Sequence, residues 1–281
     1  MNVMNHELLS VLPQRVRNLL GKEKFEDLEE IRLRVNCPLV LKTKLGLKKF
    51  DLQPSQEELS FVINTASRYS PWNNATMASG FLTAPGGHRI GVCGEAVMEG
   101  GQARGIRNVT SLCIRVAKDV KGIAMGVDLR ENLLIIGPPG SGKTTMLRDL
   151  IRRISEENRG MICVVDEREE IFPWSGGKSC FDSGDHTDVL RGYPKPEGMD
   201  MALRCMGPDW IVVDEITAQR DCLGLQQAAW CGVKILATAH GAGVEDLYRR
   251  EVYRLLLETK LFHNALVLGR DKSARMERIA L

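Results

Sequence analysis

The sequence predicts an α/β protein: a doubly wound parallel-sheet core preceded by a smaller N-terminal α+β domain. Three observations carry that prediction. Residues 132–145 read NLLIIGPPGSGKTT, an apolar run followed by a glycine-rich turn and then Lys-Thr-Thr. Three further apolar runs, GMICVVDE at 160–167, DWIVVDE at 209–215 and VKILATAH at 233–240, are separated by stretches of helical periodicity. Ahead of them, residues 1–122 alternate apolar with charged positions between Gly and Pro turns, as antiparallel strands do. Strands buried on both faces and joined by helices belong to parallel sheets, since the crossover helices cover both faces. The pattern G-x-x-x-x-G-K-[ST], met by Gly137, Gly142, Lys143 and Thr144 between a strand and a helix, makes the core that of a phosphate-loop NTPase.

Taken in order, residues 8–20 place Leu9, Leu12, Val16, Leu19 and Leu20 on one helical face with Gly21 at its end, which predicts one short amphipathic helix. EIRLRV at 30–35 has the alternation of a strand with one wet face, and PLVLKTK and GLKKFDL continue a meander. Ser55 and Glu58 form a capping box ahead of Leu59, Val62 and Ile63, starting a second helix. Across 80–116 come GFLT, the turn Pro85-Gly86-Gly87, HRIGVCGEAV, the turn Gly100-Gly101 and SLCIRVA. Arg89, Arg104, Arg107 and Arg115 stand out here; taken alone, each fits a solvated strand face. Periodicity fades across 118–132, which sets the domain boundary at 122, giving domains 1–122 and 123–281. In the second domain Met146, Leu147, Leu150, Ile151 and Ile154 recur at helical spacing, with Arg148, Asp149, Arg152 and Arg153 on the other face. Helices follow at 197–206 and 217–231. After Gly243 another carries Leu247, Val252, Leu255, Leu256 and Leu257, and ALVLGR forms a last strand before RMERIAL closes the chain.

The chemistry follows from residue types at these spacings. Gly137, Pro138, Pro139, Gly140, Ser141, Gly142, Lys143, Thr144 and Thr145 form the predicted binding loop for ATP. Its glycines let backbone N–H groups turn toward a polyphosphate, and the helix N-terminus adds partial positive charge. Lys143 reaches the β- and γ-phosphates, and the Thr144 hydroxyl ligates Mg²⁺. At the end of IVVDE, Asp214 helps hold the Mg²⁺ hydration shell and Glu215 polarises the attacking water. Residues 166–170, DEREE, offer a second acidic cluster in which Glu167 is a candidate for holding metal-bound water; the competing reading is a solvated charge run. His240, ending its strand beside Thr238, reads either as a γ-phosphate sensor or as a satisfied turn histidine. Asp214, Glu215 and His240 suit water as phosphoryl acceptor, whereas a nucleotide or small-molecule kinase needs a lid and an acceptor pocket. A nucleotide-gated scaffold with little turnover is a third reading.

Composition bounds these readings. Of 281 residues, 26% are charged and 43% hydrophobic, as in ordinary globular proteins, and the formal net charge of +2 gives no polyanion-binding signature. Nucleic acid is therefore not favoured as partner. The eight cysteines form no C-x-x-C pair and several lie in apolar runs, which points to reduced thiols in the cytoplasm rather than a zinc site. No apolar run approaches the ~20 residues of a membrane span, and MNVMNHELLSVLPQRV has no signal-peptide pattern. Any membrane association is then peripheral, through partners.

Together these motifs resemble a known family. LRCMGPDWIVVDEI at 203–216 resembles the R-x-x-P-D-x-I-x-V-x-E-[IV] strand of the type II and type IV secretion ATPases. Residues 237–241, ATAHG, resemble their histidine box, and Val165-Asp166-Glu167 their aspartate box. GGHRIGV and SLCIR resemble the N-terminal segments that carry arginines to the nucleotide in those hexamers. A narrower similarity, carried by EEIRLRV, GFLTAPGGHRIGV, GPPGSGKTT, VVDEREEI and DWIVVDEIT, is to the stage III sporulation AA family, the predicted ATPases of the channel complex between mother cell and forespore in endospore-forming bacteria. The resemblance implies Mg-ATP hydrolysis in a ring-shaped homo-oligomer, a hexamer, docked on membrane proteins of that channel at the inner face of the membrane. It implies Arg89 and Arg115, with Arg104 and Arg107 in reserve, as charge-neutralising residues supplied by the small domain or a neighbouring subunit, and closure of the small domain as the power stroke. The chain departs from the secretion ATPases in having Asp214 where they have Gly and Thr217 where they have Arg, and it lacks the tetracysteine module of many type II enzymes.

Overall fold

Two helices open the chain where the periodicity predicts one: α1, Val3–Ser10, and α2, Gln14–Leu20. Pro13 separates them. Its φ of −59° and ψ of 150° put it at the N-cap of α2, and with no backbone N–H it cannot continue α1. The computed structural model describes residues 3–23, 27–67, 80–175 and 177–279. The chain divides into two units, Met1–Lys118 with Pro173–Phe181, and Asp119–Phe172 with Asp182–Leu281.

In the first unit, β1 (Leu28–Arg34), β2 (Leu39–Thr43), β3 (Gly46–Phe50), β4 (Phe81–Ala84), β5 (His88–Glu99) and β6 (Gln102–Arg115) form an antiparallel sheet in the order β3-β2-β1-β6-β5-β4. Helix α3, Gln56–Ser67, starts at the predicted capping box: the Glu58 carboxylate accepts the Ser55 N–H at 2.9 Å, and Ser55 Oγ accepts the Glu58 N–H at 3.3 Å. Leu8, Leu12, Leu33, Leu41, Val62, Ile90 and Ile114 belong to the core of this unit. Two short strands, β9 (Trp174–Ser175) and β10 (Lys178–Ser179), pair with each other in the Pro173–Phe181 stretch, where Pro173 and Phe181 approach the turn at Gly87.

The second unit runs β7 (Leu133–Gly137), α4 (Lys143–Glu156), β8 (Ile162–Asp166), β11 (Thr187–Arg191), α5 (Lys195–Cys205), β12 (Trp210–Val213), α6 (Gln219–Trp230), β13 (Lys234–His240), α7 (Val244–Tyr248), α8 (Glu251–Glu258), β14 (Asn264–Leu268) and β15 (Ala274–Arg278). Its sheet has the order β11-β8-β12-β13-β7-β14-β15, parallel up to the final antiparallel strand β15. All four apolar runs read from the sequence are central strands. The edge strand β11 has no counterpart among those runs, because its residues stay half buried and need no apolar pattern. The strand order brings the C-terminal ends of β8, β12, β13 and β7 side by side. No helix among the described residues is long and apolar enough to cross a membrane.

The polar face expected for α4 is only partly solvated. Asp149 is 2% exposed. It accepts the N–H groups of Gly122 at 3.0 Å and Ala124 at 2.7 Å and pairs with Arg152 at 2.5 Å, while Arg153 donates to Ala124 O and Val127 O at 2.9 and 2.7 Å. The helix thus pins the segment that leads into β7, which no helical periodicity discloses. Burial opposes ionisation of Asp149, but Arg152 and the two N–H groups outweigh it and hold the carboxyl below its ordinary value. Removing the acid leaves two backbone donors unpaired and takes from Arg152 its buried partner, with only the exposed Glu156 remaining, so Asp149→Ala is expected to cost about 3 kcal/mol in urea unfolding. A loss below about 1 kcal/mol would show that water replaces these bonds.

Candidate functional site

The loop between β7 and α4 is shaped by close approach. A Cβ on Gly137 would lie 2.4 Å from Ser141 Oγ and 3.0 Å from Leu268 O, so no side chain fits there. Gly142 caps α4 at φ 102°, a conformation side chains disfavour. The turn leaves the first N–H groups of α4 without intrahelical partners, the arrangement that receives an anion. Ser141 Oγ is buried with no hydrogen-bond partner among the described residues. Lys143 Nζ donates to Gly137 O at 2.9 Å and Pro138 O at 3.2 Å. These neutral carbonyls are weaker partners for an ammonium than a phosphate oxygen is. Burial lowers the Lys143 pKa, while the charges of Asp214 and Glu215 work in the other direction.

One carboxylate joins the loop to two strand ends. Asp214 Oδ2 accepts the Thr144 hydroxyl at 2.8 Å, and Asp214 Oδ1 accepts the Thr238 hydroxyl at 2.5 Å. Thr238 Oγ1 in turn accepts the Glu215 N–H at 2.8 Å, and Thr238 O accepts the N–H of Ile216 at 2.9 Å. Glu215 is held at φ 51°, the left-handed region that a non-glycine residue enters at a cost. Its carboxylate accepts a bond from Arg168 Nη1 at 2.8 Å. His240 pairs in register with Gly137, the first residue of the loop. Burial and then the Lys143 charge lower its pKa, so it stays neutral near pH 7. The His240 backbone N–H donates to Tyr253 Oη, which donates to Ile216 O, each at 3.2 Å.

Lys143, Thr144, Asp214, Glu215 and His240 thus share one end of one sheet. Thr145 lies in the first turn of α4, half buried. The aspartate-box residues reach the same end. Asp166 is 2% exposed and accepts the N–H groups of Glu170, Ile171 and Phe172 at 2.9, 3.0 and 2.8 Å. The Glu167 carboxylate is held by the buried Lys195 at 2.6 Å. The candidate arginines belong to the first unit, where Arg89 and Arg115 are cross-strand partners on β5 and β6. The Arg89 guanidinium lies 3.9 Å over the Phe81 ring, and Arg107 pairs with Glu95 at 3.2 Å. Arg104, also on β6, is exposed.

Sequence reasoning missed several partners. Arg148 fastens the aspartate-box loop by donating to Ile171 O at 2.7 Å and Glu170 O at 3.1 Å, and Lys272, from the β14–β15 turn, donates to Gly140 O at 2.6 Å. Lys195, Arg148, Tyr253 and Lys272 sit in no motif, so pairing with a distant element leaves no local signal.

A phosphate loop at the carboxyl edge of a parallel sheet, with a strand-terminal acid bonded to its threonine, defines the fold of a phosphate-loop NTPase. Solved structures agree. The chain is similar to the X-ray structure of the Legionella pneumophila ATPase DotB over 95% of its length and 81% of that chain, with a TM-score of 0.58 and 18% identity. It is similar to the pilus retraction motor PilT with bound ADP over 95% of its length and 78% of that chain, at a TM-score of 0.60 and 14% identity. At such identities the likeness is one of fold. The chain belongs to the family described as Sporulation stage III, protein AA, whose model matches residues 3–279. Stage III sporulation protein AA of Bacillus subtilis (strain 168) is 34% identical over 281 residues, covering 95% of this chain and 92% of that protein.

The buried Asp166 gives the site a pH signature. Burial pushes its carboxyl up to about 6 from 3.8, against the pull of the Phe172 and Ile171 N–H groups. The folded state then holds this proton more tightly than the unfolded chain. Its contribution to stability is present below pH 4 and is lost as pH rises through 6, by up to about 3 kcal/mol. Without nucleotide or magnesium, raising the pH from 4.5 to 7 is therefore expected to cost the wild type more stability than Asp166→Asn. Parallel pH profiles for the two proteins would contradict this.

Proposed function

We propose that the chain hydrolyses ATP with magnesium and that the reaction is carried by the phosphate loop together with Asp214 and Glu215. The observation that supports this above all is the bond between Asp214 and Thr144: Asp214 follows β12 and Thr144 lies at the start of the helix that follows β7, two strands separated by β13, yet the two groups meet. A hydroxyl and a carboxylate are the hard oxygen donors that Mg²⁺ takes when the remaining ligands are phosphate oxygens and water. Thr144 and Asp214 would hold the ion, which would supply charge neutralisation for the polyphosphate.

Lys143 and the loop N–H groups hold the polyphosphate. Glu215, next to Asp214 and fixed by Thr238, accepts a hydrogen bond from the attacking water and orients it. His240, neutral and level with Gly137, senses the terminal phosphate. Glu167, fastened to Lys195, borders the same acidic cleft as Asp166 and Asp214 and is placed to accept a hydrogen bond from water that the ion would hold. Arg89 and Arg115, with Arg104 and Arg107 in reserve, neutralise transition-state charge, an effect worth about 10³ to 10⁵ in rate for such arginines. Two arginines directly opposite on adjacent strands repel one another, a cost consistent with an anion-facing role.

By analogy with the secretion ATPases, the chain works as a homo-oligomeric ring, a hexamer. It powers assembly of, or transport through, a channel between mother cell and forespore, docked on membrane proteins at the cytoplasmic face. Support for the sporulation context is membership of the sporulation stage III family and the Bacillus subtilis relative.

Two substitutions separate binding from turnover. Lys143→Ala is expected to abolish ATP binding. Glu215→Gln, which keeps the shape but loses the charge, is expected to preserve binding and lower phosphate release by about 10² to 10⁴. Turnover surviving Glu215→Gln would overturn the role given to Glu215, and ATP binding surviving Lys143→Ala would overturn that of the loop.

A further inference from the structure

Two cations outside the phosphate loop each hold a glutamate of the acidic cleft, and they hold them differently. Lys195 Nζ lies 2.6 Å from Glu167 Oε2 and 3.9 Å from Asp221 Oδ2, with its side chain 5% exposed. Asp221 also accepts the N–H groups of Thr217 at 2.9 Å and Ala218 at 3.1 Å, the turn that follows Glu215. Breaking a buried pair of this kind strands a charge away from water, so Lys195 is a fixed partner. Arg168 Nη1 lies 2.8 Å from Glu215 Oε2, with side chains 55% and 38% exposed. An exposed pair contributes little and yields to a stronger anion.

The stronger anion has a defined place. Lys143 adjoins Thr144, whose hydroxyl bonds Asp214 at 2.8 Å, and Asp214, Glu215 and Arg168 line one cleft, so a terminal phosphate held by Lys143 is brought toward the carboxylate that Arg168 grips. That phosphate carries more charge than a carboxylate and presents three acceptor oxygens, which a guanidinium contacts two at a time. Both ends of the exchange are on one chain: Arg168 follows β8 in the loop fastened by Asp166 and Arg148.

We propose that Arg168 is a further phosphate-contacting residue of the site, which leaves Glu215 for the terminal phosphate of bound ATP and thereby frees the Glu215 carboxylate. The proposal rests on the ATPase reading above. Without the terminal phosphate, as with ADP, Arg168 stays on Glu215 and keeps it from orienting water. With ATP bound, the same guanidinium steadies the charge of the transferring group. The exchange makes the resting site inactive and couples release of Glu215 to the presence of the phosphate it acts on.

The test uses the whole chain with magnesium and compares wild type, Arg168→Ala and Arg168→Lys. Binding is measured for ADP and for the imido analogue of ATP, and phosphate release is measured with ATP. Arg168→Ala is expected to weaken the imido analogue by about tenfold to a hundredfold, to leave ADP binding unchanged, and to slow phosphate release; Arg168→Lys is expected to restore part of each loss. Unchanged ADP binding also shows that the exposed substitution leaves the fold intact. An unchanged ratio of the two affinities would overturn the proposal, including the case where hydrolysis becomes faster because Arg168 only restrains Glu215. If the wild type binds the imido analogue and turns over ATP, such a result counts against Arg168 alone. If the wild type does neither, the ATPase reading fails and the role of Arg168 falls with it.

Discussion

The site depends on the sharing of the Asp214 carboxylate between two hydroxyls. One oxygen takes the Thr144 bond from the start of α4 and the other the Thr238 bond from β13. In the sheet order β12-β13-β7 the acid-bearing strand is not a neighbour of the loop-bearing strand. Between them, Thr238 on β13 bonds the other oxygen of the same carboxylate with a short side chain that is fully buried. The same hydroxyl oxygen accepts the Glu215 N–H, so the left-handed backbone of Glu215 is fixed by the group that orients Asp214. Position of the acid, position of the glutamate and position of the loop are thus one geometric fact.

Around this centre, charge is arranged so that most acids already have a partner. Asp166 is spent on three backbone N–H groups and Glu167 on Lys195. Asp221 fixes the turn after Ile216, and Tyr253 bonds both that turn and the end of β13. These contacts link α5, α6 and α8 to the strand ends, which stiffens the site at a cost small relative to leaving buried polar groups unpaired. Glu215 differs in that its side-chain partner among the described residues is an exposed arginine. The acid closest to the Asp214 centre is also the one whose partner is easiest to displace.

Much of the second unit was legible in the sequence because doubly buried strands must be apolar, and a phosphate loop must combine Gly, Lys and Thr at fixed spacing. The runs at 160–167, 209–215 and 233–240 enclose Ile162–Asp166, Trp210–Val213 and Lys234–His240. The predicted meander and the antiparallel strands across 80–116 of the first unit are likewise present. What escaped reading has physical causes. Pro13 splits a helix whose apolar face continues across it, so periodicity alone reads one helix. β11 and β15 lie at the sheet edges, where polar residues are tolerated. Asp149 has the position of a solvated residue on α4, yet its partners come from the segment before β7. Nothing in the local sequence marks Lys195 or Arg168 as the partner of a glutamate, and tertiary contact alone separates the buried one from the exposed one.

The central claim is that this site transfers the terminal phosphate of ATP to water. The most direct measurement is phosphate release by the purified chain supplied with ATP and magnesium and no other acceptor. The account predicts sustained, multiple-turnover production of ADP and inorganic phosphate in equal amounts. Release that begins only when a phosphate-accepting small molecule is added would contradict it and assign the site to a kinase.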